Sequence, residues 1–264
     1  SNAYATFKDD DVVLRTLEYA AGLDMTVVFY PEEHQIAKDG CVHEGFIASR
    51  QGLPMIPALA ETVAIAKYLL MIEATGVNAH FSLLSCGASV ELIKIAKEKG
   101  LPVTADVAMH QLHLTDQIID GFNSLAHVRP PLRSEQDKAL LRQGVKNGVI
   151  DAICTHHEPL NSSAKMAPFA DTLSGFTAFD TYIPFGIQLI QEGLFSPLEW
   201  VEKVTLAPAR VAKMQSRWEQ EAGWVLVDPE VEWTLNKETI VSQGKNTPLI
   251  NQIVKGKAVR VFTA

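Results

Sequence analysis

The 264-residue sequence has three cysteines, no long run of lysine or arginine, and no uninterrupted apolar stretch of the roughly 18 residues that a bilayer crossing requires. Each absence removes a class of function. Cys41, Cys86 and Cys154 are odd in number, far apart and set among apolar residues, which suits reduced buried thiols rather than a disulfide framework. No His/Asn signature accompanies any of them, so none reads as a catalytic nucleophile. A net charge of −8 without a basic cluster excludes a nucleic-acid footprint. The first residues lack a charged start followed by an apolar signal core, and the expectation is a cytoplasmic protein with no membrane partner. No internal repeat or low-complexity linker is present. Ser1-Asn2-Ala3 reads as the remnant of a cleaved tag and is set aside.

What is present is 47% apolar residues, enough for a sizeable core. Short apolar runs alternate with longer helical patterns, the signature of a parallel α/β sheet with crossover helices. Strands are expected at Met25–Tyr30, Asn78–Leu84, Pro102–Met109 and Ile150–His156. Helices are expected at Ala58–Thr75, at Ser89–Lys99 stopped by Gly100, and at Ser134–Asn147 stopped by Gly148. Ser134 with Asp137 three residues on resembles a capping box. Two more helices follow, Phe179–Glu192 and Pro197–Lys213, the second with Ser196 as its N-cap and proline at its first position. From Gly223 the pattern changes to short strands, Trp224–Val227, Trp233–Asn236 and Ala258–Phe262, punctuated by turn dipeptides. Four strand–helix units are half of the eight that close a (β/α)₈ barrel, which needs about 250 residues by itself. The expected division is therefore a partial barrel domain over 4–214 and a C-terminal β segment over 215–264.

Four segments, in this order, resemble the second half of the dihydroorotase and hydantoinase branch of the amidohydrolases. They are Phe29-Tyr30-Pro31-Glu32-Glu33, followed by Glu44-Gly45 and Ala60-Glu61; His80-Phe81-Ser82-Leu83-Leu84-Ser85; Arg129-Pro130-Pro131-Leu132-Arg133; and Thr155-His156-His157-Glu158-Pro159-Leu160. Asn246-Thr247-Pro248 and Gly256-Lys257 resemble the family's closing β segment, so the likeness runs from about Leu14 onward. The order and spacing carry it, not any single motif. The resemblance implies the C-terminal half of an amidohydrolase-type TIM barrel plus part of a small β-sandwich domain.

Members of that family hydrolyse a cyclic amide with one or two divalent metals at the C-terminal mouth of the barrel. The metal lowers the pKa of bound water and polarises the carbonyl, while a carboxylate takes the proton. The ligands must be His, Asp, Glu, Cys or a modified Lys, with lone pairs about 2.0–2.2 Å from the ion. Set against the family pattern, Tyr30 stands where a ligand His belongs, and a neutral phenol is a poor zinc ligand. Leu83 stands at the second His of the His-x-x-His-x-Ser run and has no lone pair; if the first His is the ligand, His80 survives. His156 replaces the ligand Asp, and beside a cation it is a weaker proton acceptor than a carboxylate. Leu160 replaces the closing His that holds substrate, and Arg129 replaces a substrate-contacting Asn.

Other candidates have bland readings beside the sharp ones. His156-His157 could ligate metal or could be ordinary hydrogen-bonded histidines at a strand end. His110 and His113 form a His-x-x-His, but zinc needs three or four converging ligands. Glu32, Glu33 and Glu61 could serve as acid–base groups, or be loop and helix-start carboxylates, as Glu61 is in a first helical turn. Lys165 and Phe169 match the family's lid-like loop, whose alternative role is a flexible surface connection.

The resemblance thus implies a catalytically silent dihydroorotase homologue of pyrimidine biosynthesis, of the kind that partners the aspartate transcarbamoylase catalytic subunit, with no metal cofactor and no catalytic residues. Open strand edges also suggest self-association. The alternative is an active zinc-dependent dihydroorotase that uses His80, His156 and His157 with further ligands from outside this chain.

Overall fold

The computed structural model describes residues 9–214 and 223–262. The expected tag remnant at 1–3 and the start of the expected boundary at 215 lie outside the described residues. The chain opens with helix α1 (Asp10–Gly22), followed by strand β1 (Thr26–Phe29), α2 (His34–Ala37), β2 (Val42–His43), α3 (Phe46–Gln51), β3 (Met55–Ile56) and α4 (Leu59–Thr75). Then come β4 (Asn78–Phe81), α5 (Gly87–Glu98), β5 (Val103–Ala108), α6 (Glu135–Lys146) and β6 (Ala152–Cys154). Helices α7 (Phe179–Gln191), α8 (Pro197–Val204) and α9 (Leu206–Val211) lead to β7 (Trp224–Thr234) and β8 (Ile253–Phe262).

Strands β1, β4, β5 and β6 form one sheet in that order, every pair parallel, with Phe29 opposite Phe81 and Asp106 opposite Ala152. Parallel strands are covered on both faces and so read as continuous apolar runs. Phe29, Phe81, Ala105 and Val107 are fully buried, and Phe29 stacks between Tyr68 of α4 (4.3 Å) and Phe81 (5.7 Å). Strands β2 and β3 form a separate two-stranded parallel pair within the connection from β1 to α4. The four strand–helix units and their parallel order match the expected fold class.

Local chemistry sets the helix ends. Ser134 and Asp137 form the expected capping box on α6, and Ser196 with Glu199 forms another on α8. Gly100 and Gly148 follow α5 and α6 with φ of +79° and +75°, values that glycine alone adopts without cost.

The structure differs from expectation in four places, the first being the short elements α2, β2, α3 and β3, where no element was expected. Helix α1 was not anticipated; Asp9 caps it by accepting from the Asp11 N–H at 2.9 Å, and Val13, Leu17 and Ala20 bury its inner face. The expected helix over Pro197–Lys213 is two helices that break at Thr205. Pro208 cannot donate to the carbonyl of Val204 and its ring would clash there, so the chain restarts with proline in the first turn of α9. The strands expected at Trp224–Val227 and Trp233–Asn236 are one strand, β7, paired antiparallel with β8 through two register shifts. This ribbon is joined to the rest of the molecule: Gly256 of β8 lies against Ile187 of α7, Trp233 of β7 packs on the main core, and Leu235, Ile240 and Leu249 between the two strands belong to that core. Among the described residues no helix is long and apolar enough to cross a membrane.

Candidate functional site at the strand ends

The carboxyl ends of β1, β4, β5 and β6 carry most of the candidate residues, and the centre of this face is Asp106. Its carboxylate accepts from the Ser82 hydroxyl (2.9 Å), the Leu83 N–H (2.8 Å) and the Cys154 thiol (3.3 Å), and lies 2.8 Å from His80 Nε2. Burial pushes the Asp106 pKa upward, but hydrogen bonds and charge from His80, with help from Leu83 and Ser82, leave it below the ordinary carboxylate value. Burial, and then the neighbouring Asp106, push the Cys154 thiol well up, which keeps it protonated as a donor. All three cysteines are free thiols.

His80 is fully engaged, since its other ring nitrogen is 2.8 Å from the Thr104 hydroxyl. Leu83 has φ +64°, the left-handed region that a leucine enters only at a cost of about 1–2 kcal/mol, and its N–H bond to Asp106 holds it there. His156, just past β6, also has positive φ (+46°); its ring stacks on His110 at 5.5 Å and its Nε2 is 3.7 Å from Glu158. His157 turns away: its Nδ1 accepts the backbone N–H groups of Ala178 (3.2 Å) and Phe179 (3.1 Å) at the start of α7.

The remaining expected positions are drawn into structural contacts. Arg129 grips Glu32 with two parallel bonds, Nε to Oε2 at 2.9 Å and Nη2 to Oε1 at 2.6 Å. Tyr30 sits among Glu32, Arg129, Glu61 and Arg133, and burial first, then Glu32, raises its phenol well above the ordinary value. The Leu160 N–H donates to Asn246 Oδ1 at 2.7 Å, tying the loop after β6 to the segment between β7 and β8. Glu61 lies in the first turn of α4 and also reaches across to accept from the Ser85 and Cys86 N–H groups (3.0 and 3.2 Å) leading into α5, while Glu33 pairs with Lys67 at 3.0 Å.

His110 and His113 do not converge as a ligand pair. His113 stacks on Phe185 at 4.0 Å, and His110 packs between His156 and Phe176. The loop carrying Lys165 and Phe169 is anchored: both residues are buried, Lys165 donates to the carbonyls of His127 (2.9 Å) and Leu173 (2.7 Å), and Phe169 stacks on His127 at 5.1 Å. The flexible surface connection is thus replaced by a packed loop, because its apolar and cationic side chains find partners in the loop after β5.

These residues do not fit a metal. The conditional set His80, His156 and His157 does not converge: the two ring nitrogens of His80 are taken by Thr104 and Asp106, His156 Nε2 lies 3.7 Å from Glu158, and His157 Nδ1 accepts from the α7 amides. Among the described residues no group of three or more His, Cys, Asp or Glu side chains is placed to hold a metal ion. The sequence reading missed Asp106 as the hub, although a carboxylate inside the apolar run Val103–Ala108 was a signal, since a buried charge must find partners. It also missed Arg133, whose guanidinium binds the Ile56 carbonyl (2.8 Å) and the Ser85 hydroxyl (3.0 Å).

Comparison with known proteins follows the same lines. A family model described as "Dihydro-orotase-like" matches residues 6–89. The chain is 41% identical over 260 residues to a dihydroorotase-like protein of Pseudomonas aeruginosa, covering 97% of this chain and 61% of that protein. It is 42% identical to a dihydroorotase-like protein of Pseudomonas putida, with 98% and 61% covered, and 32% identical to a dihydroorotase of Trichlorobacter lovleyi, with 95% and 60% covered. The chain thus spans about three fifths of the length of these relatives. In structure it matches the L-hydantoinase of Arthrobacter aurescens with a TM-score of 0.82 at 20% identity, over 100% of this chain and 61% of that one. It matches the dihydroorotase of Saccharomyces cerevisiae, solved with 5-fluoroorotic acid, with a TM-score of 0.77 at 14% identity, over 100% and 71%. In sequence the chain is similar to dihydroorotase-like proteins and dihydroorotases over about three fifths of their length, and its α/β fold matches the corresponding part of hydantoinase and dihydroorotase structures.

Proposed function

We propose that this chain belongs to a catalytically silent dihydroorotase-like protein of pyrimidine biosynthesis that acts as an assembly partner of the aspartate transcarbamoylase catalytic subunit. The observation that carries the reading is Leu83. The backbone there keeps a costly left-handed turn at a strand end, where the resembling family places a ligand, yet the side chain has no lone pair. The closure of His80, Ser82 and Cys154 onto Asp106 supports it, because these four groups are spent on one another. The two Pseudomonas relatives bear the name dihydroorotase-like protein rather than dihydroorotase, which supports the reading.

Association has material to work with. The β7–β8 ribbon exposes Trp224, Leu226, Ile253 and Val261, an apolar surface suited to contact with another polypeptide or a second copy. A monomeric sedimentation profile of the full-length protein alone would count against self-association.

A second reading, an active metal-dependent dihydroorotase completed by ligands outside this chain, is favoured by one observation: both ring nitrogens of His110 and Nδ1 of His156 are buried without a partner among the described residues. The deciding experiment is the metal content of full-length protein purified without chelators, read by elemental mass spectrometry, together with co-sedimentation with the purified catalytic subunit of aspartate transcarbamoylase. The silent reading expects less than about a tenth of an equivalent of divalent metal and a joint peak. One or two equivalents with hydrolysis of dihydroorotate overturn it.

A further inference from the structure

A pocket of about 610 Å³ opens beside the strand-end face. Three separate stretches of chain line it: the loop after β5 at Ser124, the loop after β6 with Ser162 and Lys165, and the segment between β7 and β8 with Lys237, Gln243 and Lys245. Its size is that of a small-molecule site. Its charge is the reverse of the molecule's. The chain has 31 acidic against 23 basic residues, yet three lysines and no Asp or Glu line this pocket.

Two of the ammonium groups have donors to spare. Lys165 is only 7% exposed, and its Nζ donates to two neutral carbonyls, of His127 and Leu173, leaving a third N–H and a whole positive charge. Lys245 donates to the Ile240 carbonyl, which leaves two. Among the described residues no carboxylate forms an ion pair with any of the three. A buried cation without a counterion costs free energy unless something supplies the missing charge, and burial accordingly lowers the Lys165 pKa to about 8, with Glu158 acting in the opposite sense.

We infer that this pocket binds a small phosphate-bearing anion, with Lys165, Lys237 and Lys245 as its cationic walls. Phosphate is favoured over a simple carboxylate by the donor set. Three lysines from separate stretches of chain suit an oxyanion of several charges, and no arginine lines the pocket to grip a planar carboxylate with two parallel bonds. The Ser162 hydroxyl and the Gln243 amide add neutral donors at the rim. None of the residues around Asp106 lines the pocket, although Leu160 at the end of the Thr155–Leu160 run does.

Titration of the full-length protein with pyrophosphate, at ionic strength held constant with NaCl, tests this by calorimetry and by thermal shift, with citrate as the carboxylate comparison. Saturable binding of pyrophosphate, tighter than citrate and weakening as salt rises, is expected. Lys237 is exposed and Lys245 half-buried, so K237Q and K245Q should fold with unchanged melting temperature in the absence of ligand while each loses about tenfold in affinity, the value of one charge-assisted hydrogen bond. Absence of saturable binding, citrate binding as tightly as pyrophosphate, or full affinity in the K237Q/K245Q double variant overturns the assignment.

Discussion

His80 Nε2 stands 2.8 Å from the Asp106 carboxylate, and this pair, almost wholly withdrawn from solvent, links the neighbouring strands β4 and β5 toward the carboxyl end of the sheet. With the Ser82 hydroxyl, the Leu83 N–H and the Cys154 thiol also pointing at it, Asp106 is an acceptor surrounded by donors. Asp106→Asn keeps the shape but turns an NH₂ group toward those donors. We expect a loss of about 3–5 kcal/mol, as for breaking a buried pair by removing one partner, measured by chemical denaturation. A loss below about 1 kcal/mol would show that Asp106 is not the organising acceptor.

Buried histidines give the fold an acid limit. Burial lowers the pKa of His113 to about 3, with Arg142 and Lys138 adding to the effect. It lowers that of His127 to about 4, with Lys165 and Arg129 adding. His110 falls well below its ordinary 6.5 through burial, then His156 and His113. Half-buried His43 is lowered to about 4 in the same way, with Arg133 adding, and solvent screening makes its contribution smaller. These groups are neutral in the fold and titrate near 6.5 when unfolded, so the unfolded chain binds more protons below that pH. Stability should therefore be level above about pH 7 and fall as pH drops through 6.5, each of His110, His113 and His127 costing about 2 kcal/mol by pH 5. Denaturation midpoints that stay constant from pH 7.5 to 5 would contradict this.

The legible and illegible parts of the molecule divide along physical lines. β4 and β5 showed because buried parallel strands need uninterrupted apolar runs, and the ends of α5 and α6 showed because only glycine takes the positive φ at 100 and 148 cheaply. Helix α1 was missed although Asp9, Val13, Leu17 and Ala20 are a cap and an apolar stripe at helical spacing. At the strand ends, Tyr30 and Leu83 stood out because a phenol and a leucine are conspicuous where the resembling family carries a ligand, and Leu160 because it stands where that family carries a substrate-holding His. Asp106 did not, because its significance lies in contacts with residues 23 to 48 positions away, which no local pattern encodes. Glu61 was half legible: its place in the first turn of α4 follows from helix electrostatics, but its reach to the amides at the start of α5 is a tertiary fact.

That reach makes Glu61 and Arg133 a unit. Arg133 Nη2 lies 3.9 Å from Glu61 Oε2, both side chains are almost fully buried, and each touches Ser85. Arg133→Met should cost about 3–5 kcal/mol, because it strands a buried carboxylate. Glu61→Gln should cost less, since the amide oxygen still accepts from the Ser85 and Cys86 N–H groups. In a double-mutant cycle the combined loss should fall short of the sum by about 1 kcal/mol or more. Strict additivity would mean that the two residues act separately.

His157 provides the sharpest separation between a structural and a metal-binding role for the Thr155–Leu160 run. The residue before α7 is Ala178, which has no side-chain oxygen to cap the helix, and His157 Nδ1 takes that task by accepting from Ala178 and Phe179. An acceptor at Nδ1 requires a neutral ring with its proton on Nε2. Asp180 in the same first turn accepts from the Val241 N–H (2.7 Å) and the Ser242 hydroxyl (2.6 Å), so a loosened α7 start would also loosen the segment between β7 and β8. His157→Phe keeps an aromatic ring near Phe179 but removes the acceptor. We expect it to cost about 1 kcal/mol, to lower the melting temperature by about 2–4 °C, and to speed amide hydrogen exchange at Ala178 and Phe179 first. If His157 instead served a metal, the same substitution would lower the metal content of the full-length protein and leave exchange at those two amides unchanged.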